Sequence, residues 1–133
     1  MATEIRLSFN DERVRVAGVS HYQEDLLALV GEAGGGRVRH EAKATLEPEP
    51  DNPHDPEAVK VLLEGRHVGY LSREDARRYG PAVRLLLERG RVLACDAVVG
   101  GRGPDATTDN LGVFLELPRA PEALLEARTL TGG

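Results

Sequence analysis

From Val38 to Leu46 the chain alternates: Val38, His40, Ala42, Ala44 and Leu46 fall on one side of a period of two, and Arg39, Glu41, Lys43, Thr45 and Glu47 on the other. This pattern is that of a strand with one face buried and the other in water. The strand is long for so small a chain, and it runs straight into Glu47–Pro56 (EPEPDNPHDP), where prolines at 50, 53 and 56 argue against regular structure. An amphipathic strand is therefore predicted to deliver the chain into a rigid polar loop.

The surrounding segments narrow the fold. Arg13–Val19 alternates charged and apolar residues and reads as a strand. Gln23–Val30 has acids in its first turn and a Leu-rich body before Gly31, which predicts a short helix. Gly31–Gly36 lacks the Gly-Lys-Ser/Thr of a phosphate-cradling loop and is expected as a linker. Ala58–Leu63 and His67–Leu71 flank Glu64-Gly65-Arg66 and predict a hairpin. Ser72 is a suitable N-cap for a helix whose first turn carries Glu74 and Asp75, and Gly80-Pro81 is expected to break that helix before Ala82–Arg89 resumes it. Val92–Val99 and Leu111–Leu117 predict two more strands around a Gly-rich loop at Gly100–Asn110, with a short helix at Glu122–Arg128. Long curved strands with interposed helices, and too few residues for two sheets, point to a mainly β (α+β) fold: an OB-like, partly closed antiparallel barrel with two or three short helices. Residues 1–12 read as an N-terminal extension, 13–117 as the domain and 118–133 as a C-terminal tail.

Composition bounds the function. Only 4% of residues are aromatic (Phe9, Tyr22, Tyr70, Tyr79 and Phe114), so the core must be Val, Leu and Ala, and few rings are available to stack on bases. No apolar run approaches the ~20 residues that span a bilayer. Charges at Glu4 and Arg6 leave no apolar signal segment, and the lone Cys95 excludes an internal disulfide, so a cytoplasmic location is expected. A net charge of −5 argues against coating duplex DNA by broad phosphate neutralisation, and leaves room for a pocket that grips a phosphate or two.

Asp51-Asn52-Pro53-His54-Asp55 is a proline-fixed loop directly before a buried strand, which holds polar groups in place without ordering on binding. EPDNPHDPEAVKV, then GRHVGYL and a capped helix, resembles the HIRAN domain, a module of some SWI/SNF-type DNA translocases and of stand-alone bacterial proteins. The likeness reaches back to VRVAGVSHYQ and forward to about Leu117. It implies an OB-like barrel that captures the 3′-hydroxyl end of single-stranded DNA. By position, Asp55 would accept a hydrogen bond from the terminal hydroxyl, Asn52 and His54 would line the pocket, and Arg73 would pair with a phosphate. Ser20, His21 and Tyr22 stand where the family has a polar or basic residue and two aromatics.

The resemblance implies no cofactor and no catalysis; a helicase, translocase or nuclease would act with the module. Apart from it, Asn52 and Asp55 also read as turn caps, Tyr70 and His40 as core residues, and Cys95 as a small buried hydrophobe. Two other readings stand beside DNA-end binding. One is a protein-interaction module of the same fold, which suits the acidic charge and the absence of a basic residue at Ser20. The other is a metal-dependent nuclease or other hydrolase built on Asp51, His54 and Asp55.

Overall fold

A computed structural model describes residues 3–7, 11–30, 37–102 and 111–132. In chain order the elements are β1 (Thr3–Arg6), β2 (Glu12–Arg15), a 3-10 turn (Val19–His21), α1 (Gln23–Val30), β3 (Arg37–Pro48), β4 (Val59–Leu63), β5 (Arg66–Tyr70), α2 (Arg73–Glu88), β6 (Arg91–Arg102), β7 (Gly112–Leu117) and α3 (Ala120–Leu130). The strands follow the order β2-β7-β6-β3-β4-β5, antiparallel throughout. β1 adds in parallel to β6 over Arg91–Ala94, beside the stretch that pairs with β7.

The open ends of this order meet. Just past β2, the Ala17 N–H donates to the Tyr70 carbonyl at 2.7 Å, and the Tyr70 N–H donates back at 2.9 Å. The sheet therefore closes on itself, and the partly closed antiparallel barrel expected from the sequence is what forms, with three α-helices among the described residues where two or three short ones were expected. Gly69 makes the closure possible. A Cβ there would lie 2.5 Å from the Ala17 carbonyl oxygen and 2.7 Å from Val16 Cγ1, so only glycine lets the two backbones approach.

The core is the interior of the ring. Val59, Val61 and Leu63 of β4 are fully buried, as are Val113 and Leu115 of β7, following the period of two. The β4–β5 hairpin turns through Glu64 (φ 46°) and Gly65 (φ 86°), the left-handed pair of a two-residue turn whose twist matches the strands. Glu64 also accepts from the Lys43 N–H at 2.7 Å, which ties the turn to β3.

Several expectations need correction. Gly80-Pro81 does not break the helix; α2 runs unbroken with Pro81 inside it. Proline denies the Arg77 carbonyl its usual donor, but Tyr79, Ala82, Val83 and Leu86 are buried on either side, and that burial outweighs one missing bond. Irregular structure was expected from Glu47, yet β3 continues through Pro48, which pairs with Val59, and the ladder goes on through Glu49 N–H to the Ala58 carbonyl at 2.8 Å. β6 likewise extends to Arg102, into the expected loop, and His40 is half-buried. The expected linker at 31–36 and the rest of the loop, 103–110, lie outside the described residues. In the stretch read as an extension, β1 pairs with the sheet, with Arg6 bonded to Asp96 and Lys43 to Glu4 at 2.6 Å.

Candidate nucleic-acid interface

The polar loop is built by its own side chains. Asn52 Oδ1 accepts from the N–H groups of His54 (2.8 Å) and Asp55 (3.0 Å), and the Asn52 N–H donates to the Glu49 carbonyl at 3.0 Å. Asp55 Oδ1 in turn accepts from the Glu57 N–H at 2.9 Å, while its carbonyl takes the Ala58 N–H at 3.0 Å. These bonds satisfy backbone donors that the prolines leave outside any ladder. The expected capping roles of Asn52 and Asp55 are thus present, and the second Asp55 carboxylate oxygen has no partner among the described residues.

Glu49 links this loop to the barrel wall. Its Oε1 accepts from Asn52 Nδ2 at 2.7 Å and from the Tyr70 hydroxyl at 3.0 Å, with Lys60 Nζ 4.0 Å from Oε2. The Asn52 amide, and then the Tyr70 hydroxyl, hold the Glu49 carboxyl below the usual carboxylate range against the opposing pull of burial. Burial, and then the bond to Glu49, push the Tyr70 phenol up. Beyond Tyr70 the rings continue: His67 meets it edge-on at 4.9 Å between centroids, and Tyr22 packs on His67 at 4.8 Å.

Tyr70 is therefore not core, and a β-bulge is the reason. The β4–β5 register pairs Lys60 with Tyr70 and Leu62 with His67, and shifts between Val61 and Leu62, leaving Val68 as the extra residue. His67 and Tyr70, three apart, thereby share the outer face while Val68 points inward. Strict alternation would have put Val68 and Tyr70 on one side.

The 3-10 turn that carries Ser20 and His21 is fixed by Gln23. Its amide donates to the carbonyls of Val19 (2.9 Å) and Leu111 (3.0 Å) and accepts from the Leu111 N–H at 2.9 Å, a side chain acting as a rung between the turn and the start of β7. At the other edge, Ser72 caps α2 by accepting from the Asp75 N–H at 3.1 Å. Arg73 follows as the first helical residue, exposed and without a bonded partner among the described residues, at a helix end that favours anions.

A family model for the HIRAN domain matches residues 10–116. The chain belongs to the HIRAN domain family. Of solved structures, the crystal structure of the human HLTF HIRAN domain aligns at 18% identity over 92% of this chain and 88% of that one, with a TM-score of 0.41. The NMR structure of the HLTF HIRAN domain aligns at 17% identity over 91% and 88%, with a TM-score of 0.36. The NMR structure of that domain in its DNA-bound conformation aligns at 18% identity over 76% and 94%, with a TM-score of 0.28. No match was found among curated protein sequences.

Within this HIRAN domain the network joins two of the three expected segments. Tyr22 and Asn52 are connected through His67, Tyr70 and Glu49. Ser20, His21 and His54 are exposed around them, Asp55 is half-buried, and Arg73 stands three residues beyond Tyr70. Among the described residues no cluster of three His, Cys, Asp or Glu is arranged to hold a metal ion. Cys95 is buried in β6, where desolvation pushes its thiol up to about 12, so it stays a protonated core residue at neutral pH. Sequence reasoning missed Glu49, His67 and Gln23 as organising residues. Glu49 carried a usable signal, three residues ahead of an Asx turn; the other two depend on contacts with distant strands.

Proposed function

We propose that this HIRAN domain is a DNA-binding module that captures the 3′-hydroxyl end of a single strand at the Asn52 turn, with no catalysis of its own. The observation that carries the reading is a turn-fixed carboxylate, Asp55, with one oxygen unpartnered among the described residues, on the loop that enters β4 where the Leu71 N–H, two residues before the cation Arg73 (likewise unpartnered among them), donates to the Val59 carbonyl at 3.0 Å. A carboxylate repels phosphates and accepts from hydroxyls, so beside a phosphate-binding cation it selects the one part of a DNA strand that offers a donor hydroxyl, its end. Tyr22 and His21 would border the terminal nucleotide, with Ser20, Asn52 and His54 lining the remainder. A helicase, translocase or nuclease is the class of protein for which such a module would hold a strand end.

The test is binding of labelled single strands carrying a free 3′-hydroxyl or a 3′-phosphate. The free end is expected to bind more tightly, and Asp55→Ala to remove that preference, a change of about ten- to a hundredfold for a lost bond to a charged acceptor. Equal binding of both ends by the unaltered protein, or no binding, would replace this reading with a protein-interaction module of the same fold.

A further inference from the structure

The chain has an acid excess, with a net charge of −5, so carboxylates are available to pair its cations. Many are paired: Arg6, Arg13, Lys43, Arg66, Arg78 and Arg119 each lie within ion-pair distance of a carboxylate. Arg15, Arg73, Arg77, Arg84, Arg89, Arg91 and Arg128 have no ion pair among the described residues, and of these Arg73, Arg77 and Arg84 lie within α2. All three are exposed on α2, and none has a bonded partner among the described residues. At 3.6 residues per turn, Arg77 and Arg84 fall within roughly 40° of Arg73 around the helix, and roughly 6 Å and 16 Å further along its axis. They form one line. Glu74 and Glu88 flank it without bonding to it.

A second feature serves the same line. Gly80 is buried within α2, where glycine is otherwise a poor choice, and what covers it is Arg84: a Cβ at position 80 would meet Arg84 Nη1 at 2.7 Å and Cζ at 3.4 Å. The absent side chain lets the guanidinium lie back along the helix toward Arg77.

We infer that the outer face of α2 is a track for the sugar–phosphate backbone of a single strand leading away from the captured end, with Arg73, Arg77 and Arg84 as successive phosphate contacts. This rests on the end-binding reading above and extends its footprint from one phosphate to several. Guanidiniums in a row at intervals of a turn or two match a repeating anion, and a compact ligand would leave the far arginine unused.

The experiment compares DNA strands of about two and about eight nucleotides, sharing one free 3′ end, at about 50 and about 200 mM salt. With a log–log slope near −0.7 per phosphate, three contacts predict a roughly twentyfold loss for the longer strand across that range, and a single contact about threefold. The double variant R77Q/R84Q, changed only at exposed positions, should bind the longer strand with the shallow slope and the shorter strand as the unaltered protein does. Gly80→Ala keeps every charge but displaces Arg84, and should weaken the longer strand alone. If the double variant keeps the steep slope, or the short strand is as salt-sensitive as the long one, α2 is not a track although end capture stands. If no strand of any length binds the unaltered protein, end capture fails and the track with it.

Discussion

Two tyrosine corners of this domain use one donor in opposite ways. At the first, Tyr79 is fully buried; its hydroxyl donates at 2.7 Å to the Pro118 carbonyl, with Glu12 Oε2 a longer second acceptor at 3.3 Å, and burial pushes the phenol far up. Arg78 beside it bonds both oxygens of Glu12, at 2.9 and 3.0 Å, and Asp75 at 2.8 Å, locking α2 to β2. At the second, Tyr70 is half-buried on the bulged β5, and its hydroxyl donates to the Glu49 carboxylate between the ring of His67 and the Asn52 turn. A backbone acceptor inside the core makes a fixture. A carboxylate acceptor at the rim holds its partners in place and leaves them within reach of solvent and ligand.

The largest expected effect lies under the rim corner. Gly69→Ala sets a methyl carbon 2.5 Å from a backbone oxygen, which cannot rotate away, so the closure between Ala17 and Tyr70 must part. A stability loss of about 3 kcal/mol in urea unfolding is expected. A near-neutral result would mean that Tyr70 is held by its side chain alone, and the rim corner would not depend on the seam beneath it.

The tyrosine hydroxyls themselves should separate next. Tyr79→Phe strands a buried carbonyl and is expected to cost about 1–3 kcal/mol, whereas Tyr70→Phe leaves Glu49 with Asn52 and water and should cost about 1 kcal/mol or less. Equal losses would erase the distinction between the two corners.

The smallest effect is set by acid. Glu49 has its carboxyl held below its ordinary value of 4.5, so its contribution is complete above that pH and is lost as pH falls through the lower folded value. NMR ring signals of Tyr22, His67 and Tyr70 should shift together with one midpoint in that window, and the ring signals of Tyr79, whose hydroxyl bonds Pro118 and Glu12 and not Glu49, should not follow that midpoint. In Tyr70→Phe the midpoint should move back toward 4.5, because one of the two bonds that depress it is gone. Ring signals unchanged through the window would show that Glu49 does not organise the rim.

What could be read in advance divides along physical lines. The alternation of β3, the acids and cap of α2 and the turn residues of the β4–β5 hairpin are local signals, and the elements they predict are present. The loop chemistry of Asn52 and Asp55 was equally legible, since Asx turns bond within three residues. The errors arose where distant packing overrules a local rule. Pro81 breaks helices in isolation but not one anchored by Tyr79 and Leu86. The bulge at Val68 follows from how β5 meets β4 and the chain at Ala17, so the sequence of β5 alone assigned Tyr70 to the wrong face.

The seam at Ala17 has a consequence for how the barrel breathes. β3 and β6 are paired residue by residue from Arg37 to Leu46, but among the described residues the backbone of the ring is clasped by two bonds at one bridge, with the Tyr22–His67 ring contact and the Arg66–Asp25 ion pair beside it. Such a clasp is the cheapest place to open, so the amides of Ala17 and Tyr70 should exchange hydrogen well before those of β3 and β6. Tyr22 stands on one side of the clasp and the Asn52 turn on the other. Anything that spans them holds the ring shut, and its presence would register as slowed exchange at two amides it never touches.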